Sequence, residues 1–412
     1  MDHHPVFDLV AVVTISSLAI GFVSSSFIRI AVLGAVSALT WDCVLKCPVY
    51  ISRGAWATSV GGYTLSYLWQ YLDAGVLSKW TYEKQGPENE LIKPWGAPSP
   101  PKRRNPADDG FVSRLKFGFA TMFSWRFVDT PYRARGLPKL DEKLAKSRSA
   151  FLVHTLKTIV VCYLVLDVMD VSADPAVTDK FYSLDKVPLF SRIGQVSAEE
   201  FMMRIFAALG LGAGLVSVQR GVYNICAFVT VATGFSDPED WPPFNGPFGA
   251  IHSLRSFWSI FWHQTNTHRL RVTSNWFLSD VLRLPRGSKA ARYARPWMIF
   301  LLSAVFHVAI DVSSGMLPGE SGAMRFFTIQ PLGIVIEDLA TWILSTRSTA
   351  KPGGGSTGPT ALQRWGGALW VLLWMTWTAP AYMFPVLAKA ESEGDKGVVP
   401  LSLIGLVTKQ LR

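Results

Sequence analysis

Several apolar runs in this 412-residue chain are long enough to cross a bilayer, and they constrain its fold more than any other feature. A transmembrane helix needs about 20 predominantly apolar residues. Only 17% of the residues are charged, against about 25% in an average soluble domain. We therefore predict an all-α, polytopic transmembrane helical protein with about eight or nine spans. The runs are 6–23, 27–45, 54–76, 150–172, 201–234, 296–313, 323–345 and 365–388, with a shorter one at 397–407.

Basic residues are concentrated in two segments, and this predicts the orientation of the chain. Segment 79–148 holds 15 Lys and Arg against 8 Asp and Glu, and segment 265–295 holds 7 against 1. Short cytosolic loops carry excess Lys and Arg, so both segments are predicted to be cytosolic, the first as a basic loop with an amphipathic part. Loop 346–364 is predicted to join them, and the less basic loop 173–198 is predicted to be lumenal. Because the charge follows the spans, its predicted partner is the lipid bilayer and not nucleic acid.

Motifs for bound cofactors are not visible in this sequence. It has neither a P-loop nor a GxGxxG fingerprint, so no permanently bound cofactor is predicted. The four cysteines lie in or beside apolar runs and are read as small buried hydrophobic residues. They predict neither a disulfide framework nor a metal site.

A 17-residue stretch, 252–268 (HSLRSFWSIFWHQTNTH), separates polar from aromatic residues if it is one continuous helix. At about 100° per residue, five polar residues fall within roughly 80° of one another, and aromatic residues occupy most of the opposite side. The sequence therefore predicts an amphipathic helix here. Its polar face would carry His252, Arg255, Ser259, His263 and Asn266.

His307 lies inside the apolar run 296–310 (PWMIFLLSAVFHVAI) and predicts chemistry at membrane depth. An ionisable residue in a span is costly, so it indicates a functional site. A neutral imidazole there can take a proton from an alcohol that attacks an activated acyl group. Ser303 and Asp311 share its helix face, and Asp311 is predicted to accept the ring N–H that fixes the tautomer. His263 is predicted either to stabilise an oxyanion or position the alcohol, or to be structural.

These residues resemble a known family. FWSIFWHQ at 257–264, followed by SAVFH at 303–307, resembles the wax-synthase-like branch of the membrane-bound O-acyltransferases, and especially its fungal terpenoid and meroterpenoid O-acetyltransferases. The resemblance covers a core at 240–388. It implies a single membrane-embedded acyltransferase domain over 1–412, of the architecture of that family, around an intramembrane reaction chamber.

The resemblance also implies an activity and a set of site residues. Acetyl, or another acyl group, would pass from acyl-CoA to a hydroxyl of a hydrophobic terpenoid-type alcohol in the endoplasmic reticulum membrane, with His307 as general base and catalytic residue. Plant wax synthases carry Asn where this chain has His263, which leaves open whether His263 is catalytic. Five residues are predicted to line the chamber, and they are Trp258, Trp262, Ser259, Asn266 and Ser303. The candidates for the CoA phosphates, which guanidinium groups fit well, are Arg255, Arg269 and Arg271.

Three alternatives remain open at this point. A long-chain wax-ester synthase would share the motifs but use a different acyl group. A transporter would use intramembrane ionisable groups as a proton relay, and inverted repeats that would indicate one are not visible. A prenyltransferase or terpene cyclase would need two acidic clusters, whereas Asp167 and Asp170 form one DxxD motif.

Overall fold

The computed structural model describes residues 3–94, 110–128, 130–347, 360–392, 394 and 396–410, and the regular structure in this part of the chain is almost entirely helical. Its one pair of strands is antiparallel, with Trp80 opposite Pro87. The elements are α1 Pro5–Phe22, α2 Ser26–Tyr50, α3 Gly54–Gln70, β1 Trp80–Thr81, β2 Gly86–Pro87, α4 Phe111–Phe123, α5 Glu142–Lys146, α6 Arg148–Ser172, α7 Pro175–Phe181, α8 Ala198–Thr233, α9 Leu254–Ser256, α10 Thr267–Trp276, α11 Lys289–Val312, α12 Ala323–Arg347, α13 Ala361–Thr378, α14 Pro380–Ser392 and α15 Leu403–Gln410.

Three short π-helical segments continue α-helices in the described part of the chain. They are π1 (Tyr71–Leu77), π2 (Phe257–Phe261) and π3 (Phe277–Val281). Each is closed by a backbone bond from residue i+5 to residue i, for example from the Trp262 amide to the Phe257 carbonyl at 2.8 Å. Such segments are rare and are often found at functional sites.

Local sequence explains where the long helices begin and end. Ser25 and Ser288 cap α2 and α11, because each hydroxyl accepts a backbone N–H of the first turn. Ser197 caps α8 in the same way, and that helix ends at Gly234, which adopts φ 80°. This left-handed conformation is open to glycine because it has no Cβ.

Among the residues that the structure describes, six helices are long and apolar enough to cross a membrane, or seven if α13 and α14, which meet at a 48° bend, are one broken span. The predicted all-α polytopic fold is confirmed, whereas the count of eight or nine spans is not. Run 54–76 folds as a 17-residue α-helix followed by π1, and run 397–407 contains the start of an 8-residue helix. All of run 201–234 except Gly234 lies within one unbroken 36-residue helix. The six are α1, α2, α6, α8, α11 and α12.

The described residues group into two compact units, each made from two stretches of chain. The first unit comprises Met1–Arg135 and Gln264–Met324, and therefore contains α1 to α4, α10 and α11. Helices α1 and α4 cross so closely that a Cβ at Gly118 would overlap the Ser17 carbonyl. Around this crossing lies an apolar core that includes Val12, Ile20, Val36, Tyr71 and Met122.

The second unit comprises Gly136–His263 and Arg325–Arg412. Helices α6 and α8 pack against each other more extensively than any other helix pair in its described part. Asp167 on α6 accepts the Ile404 amide at 3.0 Å, and Asp170 accepts the amides of Val398 and Val399 at 2.9 and 2.8 Å. The DxxD motif therefore anchors the carboxyl-terminal segment of the described chain.

The predicted basic loop 79–148 contains regular structure. It holds the β1–β2 hairpin, the helix α4 and the short helix α5. Lys102, Arg103 and Arg104 lie outside the described residues, as does most of loop 346–364.

Candidate active site

His307 lies half-buried near the end of α11, in the first unit. Its Nδ1 atom lies 2.7 Å from the carbonyl oxygen of Ser303, one turn earlier, and 3.5 Å from the Ser303 hydroxyl. A neutral imidazole that donates its Nδ1–H to a carbonyl presents an unprotonated Nε2. The helix itself therefore fixes the tautomer that a general base requires.

The sequence assigned this orienting contact to Asp311, but the structure gives it to the Ser303 backbone. Asp311 is 3% exposed, and its Oδ2 accepts the Ser321 hydroxyl at 2.5 Å. That bond ties the end of α11 to the chain that leads into α12. The Ser303 carbonyl can accept from His307 because, in an α-helix, the carbonyl of residue i−4 points along the helix toward the side chain at i.

Helices α3 and α10 pack around α11 inside the first unit. The Trp69 indole N–H donates to the Thr273 hydroxyl at 3.0 Å, and the Trp69 ring packs against Phe306 with 5.1 Å between centroids. A Cβ at Gly61 would overlap the Ser313 side chain, so only glycine allows this approach of α3 to α11. His307 is therefore held on a helix with close neighbours on both sides.

A buried histidine, His268, was not predicted from the sequence. Its Nδ1 lies 2.6 Å from Oδ2 of Asp73, and the two side chains are 4% and 0% exposed. On a continuous 252–268 helix, His268 would have fallen on the aromatic side. The available signal was Asp73, an ionisable residue inside the predicted span 54–76.

The predicted amphipathic helix over 252–268 is wrong. The α9–π2 segment ends at Phe261, Trp262 is extended at φ −63° and ψ 154°, and α10 begins only at Thr267. A non-local hydrogen bond accompanies the break: the Gly246 amide donates to the Phe261 carbonyl at 3.0 Å. A Cβ at Gly246 would overlap the carbonyl of Ile260. The single polar face predicted for five residues therefore does not form.

His263 follows this break and lies half-buried among aromatic rings of the second unit. Its ring is 5.4 Å from that of Trp262 and 5.9 Å from that of Phe244, with the latter pair stacked. Phe244 packs in turn on Tyr223. The surroundings of His263 therefore suit an apolar molecule with a polar group.

Two further tryptophans are oriented by one buried amide in the second unit. The Oε1 atom of Gln330 accepts the indole N–H of Trp258 at 3.3 Å and that of Trp374 at 3.0 Å. Gln330 is 0% exposed, and its amide N–H donates to the Phe326 carbonyl at 2.9 Å. The predicted chamber residue Trp258 thus has a fixed orientation.

Glu337 of α12 caps the start of α9. Its carboxylate accepts the backbone amides of Leu254 and Arg255 and the indole N–H of Trp370 at 3.0 Å. A carboxylate at a helix start satisfies amides that have no partner in the helix. The next residue, Asp338, forms a 2.6 Å ion pair with Arg255, and both side chains are more than half exposed.

The three arginines predicted to bind CoA phosphates differ in burial. Arg255 is exposed and paired with Asp338. Arg269 is 0% exposed, donates to the carbonyls of Ser66 and Thr265 and to Asn266 Oδ1, and burial lowers its pKa to about 9. The two terminal nitrogens of its guanidinium thus donate inside the protein.

Arg271 is half-buried and has positive neighbours. Burial, together with the like charges of Arg135 and Arg295, lowers the pKa of Arg271 to about 10. Three arginines that repel one another mark a place where an anion is favoured.

The predicted site residues are divided between the two units. The hydroxyl of Ser259 bonds back to the Arg255 carbonyl at 2.6 Å. The chain leaves the second unit at His263 and enters the first at Gln264. The first unit holds Ser303, His307, Asp311, Asn266, Arg269 and Arg271, and the second holds Trp258, Ser259, Trp262, His263 and Arg255.

Among the described residues, one group has the spacing of metal ligands, and it is His3, Asp8 and Asp42. The Lys46 ammonium lies 2.5 Å from Asp42 and 3.4 Å from the ring nitrogens of His3. We assign this group to ion pairing between α1 and α2.

Known proteins resemble this chain over most of its length. The profile of the membrane bound O-acyl transferase family matches residues 241–329, which include both His263 and His307. No solved structure matches.

Three relatives are named acetyltransferases. Acetyltransferase aurG of Calcarisporium arbuscula is 34% identical over 88% of this chain and 88% of its own. Acetyltransferase fsoF of Humicola fuscoatra is 30% identical over 93% and 95%. Acetyltransferase ataH of Aspergillus terreus is 33% identical over 67% and 90%. With its helical, multi-pass fold, this chain belongs to the membrane-bound O-acyltransferase family, alongside the acetyltransferases that fungi encode.

Proposed function

We propose that this enzyme transfers acetyl from acetyl-CoA to a hydroxyl of a hydrophobic, terpenoid-type alcohol, with His307 as the general base. The observation that carries the proposal is the Nδ1 contact of His307 with the Ser303 carbonyl. It leaves Nε2 as a basic atom on a membrane helix. The names of the relatives support acetyl as the transferred group.

The reaction follows from this geometry. Nε2 takes the hydroxyl proton as the alcohol oxygen attacks the thioester carbonyl. A C–O bond forms, the C–S bond breaks, and the CoA thiolate leaves and recovers the proton from the imidazolium. The products are the acetate ester and CoA, so His307 returns to its starting state.

We assign His263 to the acceptor or to the oxyanion of the tetrahedral intermediate. Its half-buried imidazole lies against Phe244 and Trp262. Sites for small molecules are mostly apolar with a few placed polar groups, which agrees with an aromatic wall around one imidazole. A terpenoid skeleton provides the matching apolar surface.

The direct test is incubation of purified protein with labelled acetyl-CoA and a panel of hydroxylated terpenoids. We expect a labelled ester together with stoichiometric CoA release. Palmitoyl-CoA with a long-chain alcohol tests the wax-ester alternative in parallel. Product formed only from palmitoyl-CoA would replace acetyl transfer by wax-ester synthesis, and CoA release without ester would contradict both.

Arg271 is proposed to bind the CoA phosphates. We expect Arg271→Gln to raise the KM for acetyl-CoA at least about fivefold, because a guanidinium beside Arg135 and Arg295 attracts phosphate. The KM for the alcohol should not change, and added salt should shrink the difference. Steady-state kinetics at two ionic strengths measure this.

Arg255→Gln is the matched comparison for Arg271. Its guanidinium is already neutralised by Asp338, so we expect less than a twofold change. A larger effect at Arg255 than at Arg271 would move the phosphate site to Arg255.

The proposal also includes the orientation of the chain in the endoplasmic reticulum membrane. Segment 265–295 faces the cytosol, and loop 173–198 faces the lumen. In a background without the four native cysteines, Arg286→Cys and Leu184→Cys place thiols at exposed positions. We expect an impermeant thiol reagent to label the first in sealed microsomes and the second only after permeabilisation. Equal labelling without detergent would contradict the cytosolic entrance for CoA.

A further inference from the structure

The buried pair of His268 and Asp73 has no part in the mechanism above, yet it lies in the core of the first unit. Its Nδ1–Oδ2 distance is 2.6 Å. The Ser78 hydroxyl donates to the other carboxylate oxygen of Asp73 at 2.8 Å, and the Phe127 ring lies 4.2 Å from the imidazole centroid. Ionisable groups are rarely buried so completely in a membrane protein unless they have a function.

This pair is one of three polar contacts that fix α3 and π1 against α10. Arg269 donates to the Ser66 carbonyl, and Trp69 donates to Thr273 at 3.0 Å. The residues on the α3–π1 side, at 66, 69 and 73, are three and four positions apart and so lie along one face. Together the contacts set the register between these two segments.

The register of α3 also sets the position of α11. The Trp69 ring packs 5.1 Å from that of Phe306, which immediately precedes His307. About two turns away, Gly61 leaves no space for a Cβ beside Ser313. A shift of α3 would therefore displace the helix that carries His307.

We propose that His268 and Asp73 are a positioning pair for His307, which they influence through Trp69 and Phe306. The inference rests on the proposed function, in that it takes His307 as the base. A displacement of about 1 Å in a reacting group can cost about 10²-fold in rate. A contact far from the chemistry can therefore control turnover.

Two substitutions at His268 separate positioning from proton transfer. The amide nitrogen of Asn takes the place of Nδ1 and still donates to Asp73, whereas that of Gln takes the place of Nε2 and does not. We expect His268→Gln to lower kcat at least about tenfold with the KM for acetyl-CoA within about twofold. We expect His268→Asn to keep kcat within about threefold of the original protein.

A second readout needs no substrate. Hydrogen–deuterium exchange of amides 303–309 in detergent should be faster in His268→Gln and unchanged in His268→Asn, because only the first loosens α11. His154→Gln, on an exposed position of α6, is the matched control. Trp69→Phe, a milder change that keeps the ring against Phe306, is expected to lower kcat about threefold by losing the bond to Thr273.

The outcomes distinguish the positioning role of His268 and Asp73 from the assignment of His307 as the general base. Normal kcat and normal exchange in His268→Gln would overturn the positioning role. Equal loss of kcat in the Asn and Gln variants, with normal exchange, would also overturn it and indicate proton transfer by His268 itself. If His307→Ala stays active while the exchange result holds, the base assignment fails and the effect of the pair on α11 stands.

Discussion

Replacing His307 with alanine is expected to lower the turnover of acetyl transfer by at least ~10²-fold, the usual contribution of a positioned general base. Without Nε2, no group takes the proton as the alcohol attacks, so the loss falls on kcat. The KM for acetyl-CoA should change little, because the proposed phosphate contacts remain. Single-turnover measurements with labelled acetyl-CoA give the chemical step directly.

Two controls make the His307 result interpretable. His154→Ala removes an exposed imidazole from α6 and should keep normal activity. Detergent gel filtration of His307→Ala should show the same monodisperse protein as the original. Near-normal turnover in a properly inserted His307→Ala protein would remove His307 from the mechanism.

Replacing Glu337 with alanine is expected to cause the largest loss of stability. Three N–H donors, two of them backbone amides of α9 and one from Trp370, would lose their acceptor. A buried donor left unsatisfied costs about 1–3 kcal/mol. The bonds of Leu254 and Trp370 are partly buried, whereas that of the Arg255 amide is exposed, so we expect the unfolding free energy to fall by about 2 kcal/mol. Thermal unfolding in detergent, followed by tryptophan fluorescence, measures the change.

Neighbouring Asp338 provides a matched comparison for Glu337. Its pair with Arg255 is exposed, and exposed ion pairs contribute about 0–1 kcal/mol, so Asp338→Ala should be almost neutral. Glu337→Gln keeps one acceptor oxygen and should lie between the two. Equal stability of Glu337→Ala and Asp338→Ala would show that the Glu337 cap on α9 contributes little.

The membrane helices were predictable because their signal is local. Long apolar runs and the hydroxyl caps at Ser197 and Ser288 lie within a few residues of the helices that they define. The membrane position of His307 followed in the same way. Its orienting partner was predicted as a side chain, because patterns of sequence do not display the backbone carbonyl at Ser303.

The helix predicted over 252–268 is wrong because distant residues determine the backbone conformation of this stretch. Periodicity favoured one helix over 252–268, but Gly246 binds the Phe261 carbonyl and Glu337 fixes the start of α9. The pairing of His268 with Asp73 joins residues 195 positions apart. Contacts of this kind depend on tertiary packing, which overrides local preference.

The π segment at 257–261 has a consequence for how this family tolerates insertions and deletions. A π turn accommodates one residue more than an α turn over the same stretch of helix, so π2 is equivalent to a one-residue insertion absorbed in place. Deleting one residue there would restore α geometry and leave Trp262 in the same position relative to the residues before the segment. A relative with one residue fewer at this point would therefore keep the same helices and the same break before His263.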